Sequence, residues 1–323
     1  MVTDTITSLE KVLNRIRAHE EFDSTIVSQS CNCLRKDALG HSLRIEGIGN
    51  NIKNGFDLPK EVRTKFDYYM SQILEGREYL LKDGISVYTL SQLGRIVEPK
   101  NHIVGNFRKK EVMYGGFEGS PPSQIYYDVD NVLYRAQNLQ EFHPVLRGLD
   151  LHVSLIQIHP YLDGNGRSAR LVQDVFLEMN QYPSPIIKES EREFYIRLME
   201  NVISERIRGH SLSDIGNAEK YFQEYMVSRI LESALEIEKS VGKQRNFTVL
   251  LDEKVDNGSV KSISTMLRKK LKSQGKCAKV KSVKQSGGGF SLQIVGEVPY
   301  VEIKKYLEQV CGKKGTNFEL NRK

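Results

Sequence analysis

Apolar residues recur at three- and four-residue spacing through most of the first 240 positions of this 323-residue chain, a period that commits it to helices. The segments EVRTKFDYYMSQILEGREYLL, DVDNVLYRAQNLQEF, VLRGLDLHVSLIQI, REFYIRLMENVI and AEKYFQEYMVSRILESALEI all carry it, with Gly and Pro between them. Residues 105–125, GNFRKKEVMYGGFEGSPPSQI, break the period. Phe107, Val112 and Tyr114 form a short β-prone run there, Gly115-Gly116 can turn it, and Pro121-Pro122 ends it, so the stretch reads as a hairpin. After KSVGKQRN, residues 239–246, which reads as a linker, the texture changes. FTVLLD is strand-like and SVKSISTMLRKKLKS helical. CAKVKSVK and FSLQIVG alternate like strands and are joined through residues 286–289. PYVEIKKYLEQVC is helical with Pro at its start, and TNFEL reads as a last strand. The order βαββαβ suits a ferredoxin-like plait.

Charge follows the same division. Residues 246–323 carry 16 Lys and Arg against 7 Asp and Glu, a net of +9, whereas residues 1–245 carry 31 against 34, a net of −3. No run reaches the length of a membrane span, and the opening MVTDTITSLEKVLNRIRAHEEF mixes charge through an amphipathic pattern unlike a signal peptide, so the expected location is cytoplasmic. Four cysteines fit that setting. Cys31 and Cys33 are too close for the usual zinc spacing, and Cys277 and Cys311 stand alone, so buried free thiols are expected.

Between two helical segments lies HPYLDGNGRSAR, residues 159–170. A helix N-terminus offers unpaired N–H groups and a positive dipole end to an anion. Gly164 and Gly166 let backbone approach a phosphate closely. Arg167 and Arg170, three apart, are neighbours on the first turns of the second helix and carry forks that match phosphate oxygens. Asp163 is a hard oxygen ligand suited to Mg²⁺. His159 can take a proton near neutral pH. The set points to polyphosphate binding with a base, hence phosphoryl or nucleotidyl transfer, without choosing which phosphate is attacked. Other polar residues nearby are weaker: His152 reads as a packed helix residue, and His143, before Pro144, as a helix end. Tyr195 and Asn201 on the following helix are candidates to frame a base.

The string resembles the signature of Fic-domain proteins, H-x-F-x-D/E-G-N-G-R-x-x-R, with Tyr161 where Phe is usual and its packing role retained. The resemblance covers roughly residues 85–205. It implies transfer of AMP from ATP to a Ser, Thr or Tyr hydroxyl of a protein, with ATP as substrate and Mg²⁺ as cofactor. It also implies roles: His159 as base, Asp163 on Mg²⁺, and Asn165 on the α-phosphate with the Gly164 and Gly166 N–H groups. Arg167 and Arg170 would hold the β- and γ-phosphates. The hairpin resembles the family's flap, which docks a target by strand addition, with Lys110, Val112 and Tyr114 as its docking residues. The expected architecture is mainly α: a Fic helical bundle with a β-hairpin flap, plus a small C-terminal α+β domain. Its expected divisions are an N-terminal helical region, 1–84; the catalytic domain, 85–240; and the basic domain, 246–323.

Upstream, HSLRIEG places Ser42 and Glu46 one helical turn apart, before Gly47. Beside the signature it resembles the inhibitory motif S/T-x-x-x-E-G/N of the subclass with an N-terminal inhibitory helix. That resemblance implies that Glu46 pairs with Arg170 and competes with the γ-phosphate. In some relatives the same glutamate serves removal of AMP, and the signature grips phosphates without fixing the base, so UMP or phosphocholine transfer or de-AMPylation stay open. The basic run LRKKLKSQGKCAKVKSVK is either a solvated face or a surface for nucleic acid or an acidic partner. It distantly resembles a small translation-initiation factor domain. A nucleic-acid-binding regulator acting through that domain is the reading from another class. Self-modification and a homodimer are open too, though no sequence feature marks a dimer.

Overall fold

The computed structural model describes residues 2–48, 60–100, 106–209, 215–243, 245–251, 255–273, 278–284, 290–296, 300–312 and 317–322. The chain is mainly α-helical and divides into two compact units, Met1–Asn14 with Cys31–Leu235, and Arg15–Ser30 with Glu236–Lys323. Cys277, Pro299 and the 286–289 connection lie outside the described residues.

The first unit is built on α1 (Val2–Ile45), α2 (Lys60–Asp83), α3 (Val87–Val97), the hairpin strands β1 (Met113–Tyr114) and β2 (Phe117–Glu118), α4 (Ile125–Asn138), α5 (Pro144–Ile158), α6 (Asn165–Met179), α7 (Arg192–Ile207) and α8 (Asn217–Lys243). Helices α1 and α8 also supply residues to the second unit. Helix α5 is the centre of the first. It is apolar around nearly its whole circumference, and a helix of that kind is stable only when buried on all sides. Its neighbours are α4 and α6, and Leu151 and Leu155 share a core with Leu43 of α1, Ile73 of α2, Leu93 of α3, Val129 of α4 and Leu171 of α6. The few charges on α5 are matched: Arg147 donates to Ala136 O at 2.7 Å, and Asp150 pairs with Arg135 at 3.2 Å and Arg206 at 2.9 Å. Burying those charges unpaired would be strongly destabilising.

His143 begins a helix rather than ending one. It is the N-cap of α5, its ring accepts from Val145 N at 3.3 Å, and Pro144 takes the first helical position, where a missing N–H costs nothing. The presumed linker is also partly helical. Helix α8 continues to Lys243 and β3 opens at Arg245, since one Gly without Pro does not stop a helix.

In the second unit β3 (Arg245–Leu251), α9 (Asn257–Ser273), β4 (Ala278–Lys284), β5 (Phe290–Gly296), α10 (Tyr300–Gly312) and β6 (Phe318–Arg322) form an antiparallel sheet in the order β4-β5-β3-β6, the ferredoxin-like arrangement. Register is fixed by alternation. Val249 pairs with Leu292 and Leu320, and this row joins Ile263 and Leu267 of α9 and Ile303 and Leu307 of α10 in a separate core. Among the cysteines, Cys311 is buried there, but Cys31 is half-buried and Cys33 exposed, because the exposed face of α1 carries them.

Candidate active site

The signature loop runs from the end of α5 to the start of α6, and two left-handed residues shape it. His159 caps α5 at φ 54, and Gly164 caps the start of α6 at φ 80. The second is a position where Gly costs least. The first is held by outside contacts. Arg108, buried, donates from Nε to His159 O at 2.7 Å and from Nη2 to Ser120 O at 2.6 Å and Ile158 O at 3.3 Å. Tyr161 is buried under the loop. Gly94 of α3 makes room for its ring, and its hydroxyl donates to Leu90 O at 2.5 Å, so the extra oxygen relative to Phe is satisfied.

His159 Nδ1 lies 3.3 Å from Ile156 O, which favours a proton on Nδ1 and leaves Nε2 as the acceptor. Burial pulls its pKa down to about 4, so the ring is neutral at physiological pH. Asp163 is 56 % exposed at the side chain, and its Oδ1 accepts from Gly164 N at 2.6 Å. A half-exposed carboxylate at a helix N-terminus suits a Mg²⁺ ion that also binds phosphate oxygens. Asn165 offers less than expected through its side chain, because Oδ1 accepts from Tyr161 N and Nδ2 donates to Tyr161 O, both at 2.9 Å. It braces the loop, and its contribution to an anion is a backbone N–H of the first turn, beside that of Gly166.

The two signature arginines differ in what holds them. Arg170 is buried and donates from Nε to Ser42 Oγ at 2.7 Å, and from Nη2 to Ser42 O at 3.2 Å and Glu46 Oε1 at 2.5 Å. Gly47 makes this possible. At φ 74 it ends α1 directly after Glu46, with Ile48 N donating to Leu43 O and Gly47 N to Arg44 O. Burial opposes ionisation of Glu46, but the charge and hydrogen bond of Arg170 outweigh it, aided by Arg167 and Arg192, and hold the carboxyl below its usual range. Arg167 is gripped by Glu98, 2 % exposed, whose Oε2 lies 2.7 Å from Nη2, and its guanidinium sits 4.7 Å over the Tyr69 ring. Its buried Nε has no acceptor among the described residues.

Tyr195 and Asn201, both expected to frame a base, part company. Tyr195 is buried, and its hydroxyl lies 2.8 Å from His152 Nε2. It supports Arg170 from behind, and His152 is a core residue bonded also to Gln173. Asn201 instead lines a cavity of about 730 Å³ between α7 and α8 with Phe194, Tyr221 and Tyr225, and no signature residue borders it. On the flap Lys110 is exposed and Val112 half-buried. Tyr114 turns inward, its ring stacked on His159 at 4.0 Å and 11°, and the outward apolar side chain of the hairpin is Met113. Glu98 and Arg108 escaped the sequence reading.

The loop thus lies between two buried helices and beneath a two-stranded flap. Residues 85–177 match the model of the Fic/DOC family. Protein adenylyltransferase Fic of Aedes aegypti is 33 % identical over 93 residues, 28 % of this chain and 19 % of that protein. Its counterpart in Drosophila virilis is 28 % identical over 134 residues, 41 % and 27 % of the two chains. The chain thus spans about a quarter of the length of that relative. Among solved structures, a Fic domain-containing signaling protein from Bacteroides thetaiotaomicron shares the fold, with a TM-score of 0.58 at 17 % identity over 73 % of this chain and 98 % of the other. Fic-1 of C. elegans gives 0.50 at 20 % identity over 74 % of each. No described helix is long and apolar enough to cross a membrane.

Proposed function

We propose that this chain transfers AMP from ATP to a Ser, Thr or Tyr hydroxyl of a protein and that Glu46 restrains it. The observation that carries the reading is the meeting of a neutral His159, whose Nδ1 faces Ile156 O, with the start of α6, whose Arg170 is already occupied by Ser42 and Glu46. In this reaction His159 Nε2 takes the proton of the acceptor hydroxyl. Its oxygen bonds to the α-phosphorus, the bond from that phosphorus to the bridging oxygen breaks, and pyrophosphate leaves. The first-turn N–H groups and Arg170 hold the phosphates, and Asp163 would hold Mg²⁺, which neutralises charge on them. While Glu46 fills the Arg170 fork it excludes and repels the γ-phosphate, so ATP binds with its α-phosphate misaligned.

The test is transfer of α-³²P from ATP with Mg²⁺ to the protein itself and to a lysate. Wild type, Glu46→Gly and Glu46→Gly/His159→Ala are compared. Label with Glu46→Gly that vanishes on loss of His159 is expected. No label in any lane, with ATP still bound, would shift the reading to another nucleotide donor or to removal of AMP.

A further inference from the structure

The flap is fastened to the His159 loop through backbone and side-chain hydrogen bonds. Arg108 N donates to Pro160 O at 2.9 Å and Ser120 N to Ile158 O at 3.0 Å, so both legs of the hairpin bond to the residues flanking His159. The Arg108 guanidinium fills the space between. Its Nη1 donates to Lys110 O at 2.7 Å, and its other nitrogens reach the carbonyls of Ser120, Ile158 and His159. All four of those acceptors are backbone carbonyls, and a carbonyl held this way fixes the peptide that orients a left-handed His159. A side chain placed at Gly119 would strike Arg108 Nη2 at 2.6 Å and approach His159 Cβ at 3.1 Å, so flap, clamp and base are packed without slack.

At the tip of the same hairpin Tyr114 lies nearly parallel to the imidazole, and its hydroxyl donates to Gln157 O at 2.9 Å, two residues before the base. The stack is therefore pinned at both ends. One face of the imidazole is covered, its Nδ1 edge is turned to Ile156 O, and rotation of the ring would break the stack. What remains open to an acceptor hydroxyl is the Nε2 edge.

Taking His159 as the base of the proposed reaction, we infer that the flap positions this base as well as any target: Tyr114 locks the imidazole by stacking, and Arg108 clamps the backbone beneath it. Tyr114 is thus a positioning residue rather than a docking residue.

The test follows the imidazole directly, in the full chain. Histidine-selective ¹⁵N spectra across pH, with the His159 signal identified by its loss in His159→Ala, are recorded for wild type, Tyr114→Phe and Tyr114→Ala. The charged groups acting on His159 are Arg108, Asp163 and Glu46, and all remain in these variants. Tyr114→Ala is expected to move the His159 midpoint up toward 6.5, the ordinary value, while Tyr114→Phe, which keeps the stacked ring, stays close to wild type. In a Glu46→Gly background Tyr114→Ala should lower kcat on the order of 10- to 100-fold with the KM for ATP unchanged, and Phe should restore most of it. If Tyr114→Ala leaves the His159 titration in place and raises only the KM for the protein acceptor, Tyr114 docks the target and the inference is wrong. A shifted titration in chains that transfer no AMP would leave the positioning role standing and remove the transfer reading.

Discussion

At the scale of single residues, the site depends on groups whose charge state is set by burial. His159 is neutral down to about pH 4, so the Glu46→Gly enzyme should show a flat kcat/KM from pH 7 to 5, with its acid limb near 4 instead of 6.5. A limb at the ordinary histidine value would place the base outside this environment. The same shift weakens the fold in acid. Unfolded histidines bind protons near 6.5, whereas folded His159 resists until about 4 and folded His152 until about 3, so stability falls as pH drops below 6.5. Glu46 weakens the fold in the same direction, but at lower pH. Its carboxyl lies below the usual range, so its contact with Arg170 is intact at neutral and mildly acid pH and is lost only as pH falls through that lowered value. Over the flat window, therefore, the proposed restraint predicts that wild-type transfer stays below that of Glu46→Gly.

At the scale of elements, the end of α1 carries Glu46, the proposed latch. Gly47→Ala puts a side chain at φ 74, a conformation that costs about 1 kcal/mol for an ordinary residue. If that strain is relieved by loosening the turn that carries Glu46, basal AMP transfer should rise by roughly fivefold, since about 1 kcal/mol is a factor near five. Unchanged basal transfer alongside a lowered melting temperature would mean that the turn can strain without moving Glu46. Helices and hairpin were legible in the sequence because each is written in a local period or turn, and HPYLDGNGRSAR placed the loop between α5 and α6. Gly47 was legible only as part of a motif, and its reason, ending a helix at Glu46, came from the fold. Glu98 and Arg108 were illegible because their contacts join residues 69 and 51 positions apart, and no local pattern marks either. Tyr114 was placed on the correct element, but a two-residue strand does not say which face its ring takes.

At the scale of the whole molecule, the described residues include a separate hydrophobic core in each of the two units. Calorimetry is therefore expected to show two unfolding transitions, with a non-hydrolysable ATP analogue raising only one of them in Glu46→Gly, because a ligand stabilises only the unit that binds it. One transition that moves as a whole would mean that the cores unfold together. The contact between Glu46 and Arg170 has a further consequence for how such a protein is turned on. On the proposed reading Glu46 is a competitor supplied by the chain itself, and a tethered group acts at an effective concentration on the order of millimolar or higher. That is the range a cell's nucleotide pool would have to exceed. Such a latch is insensitive to ordinary swings in fuel supply. It would answer instead to anything that withdraws the tether, so the signal that opens the proposed latch would be mechanical, a displacement of the last turn of α1.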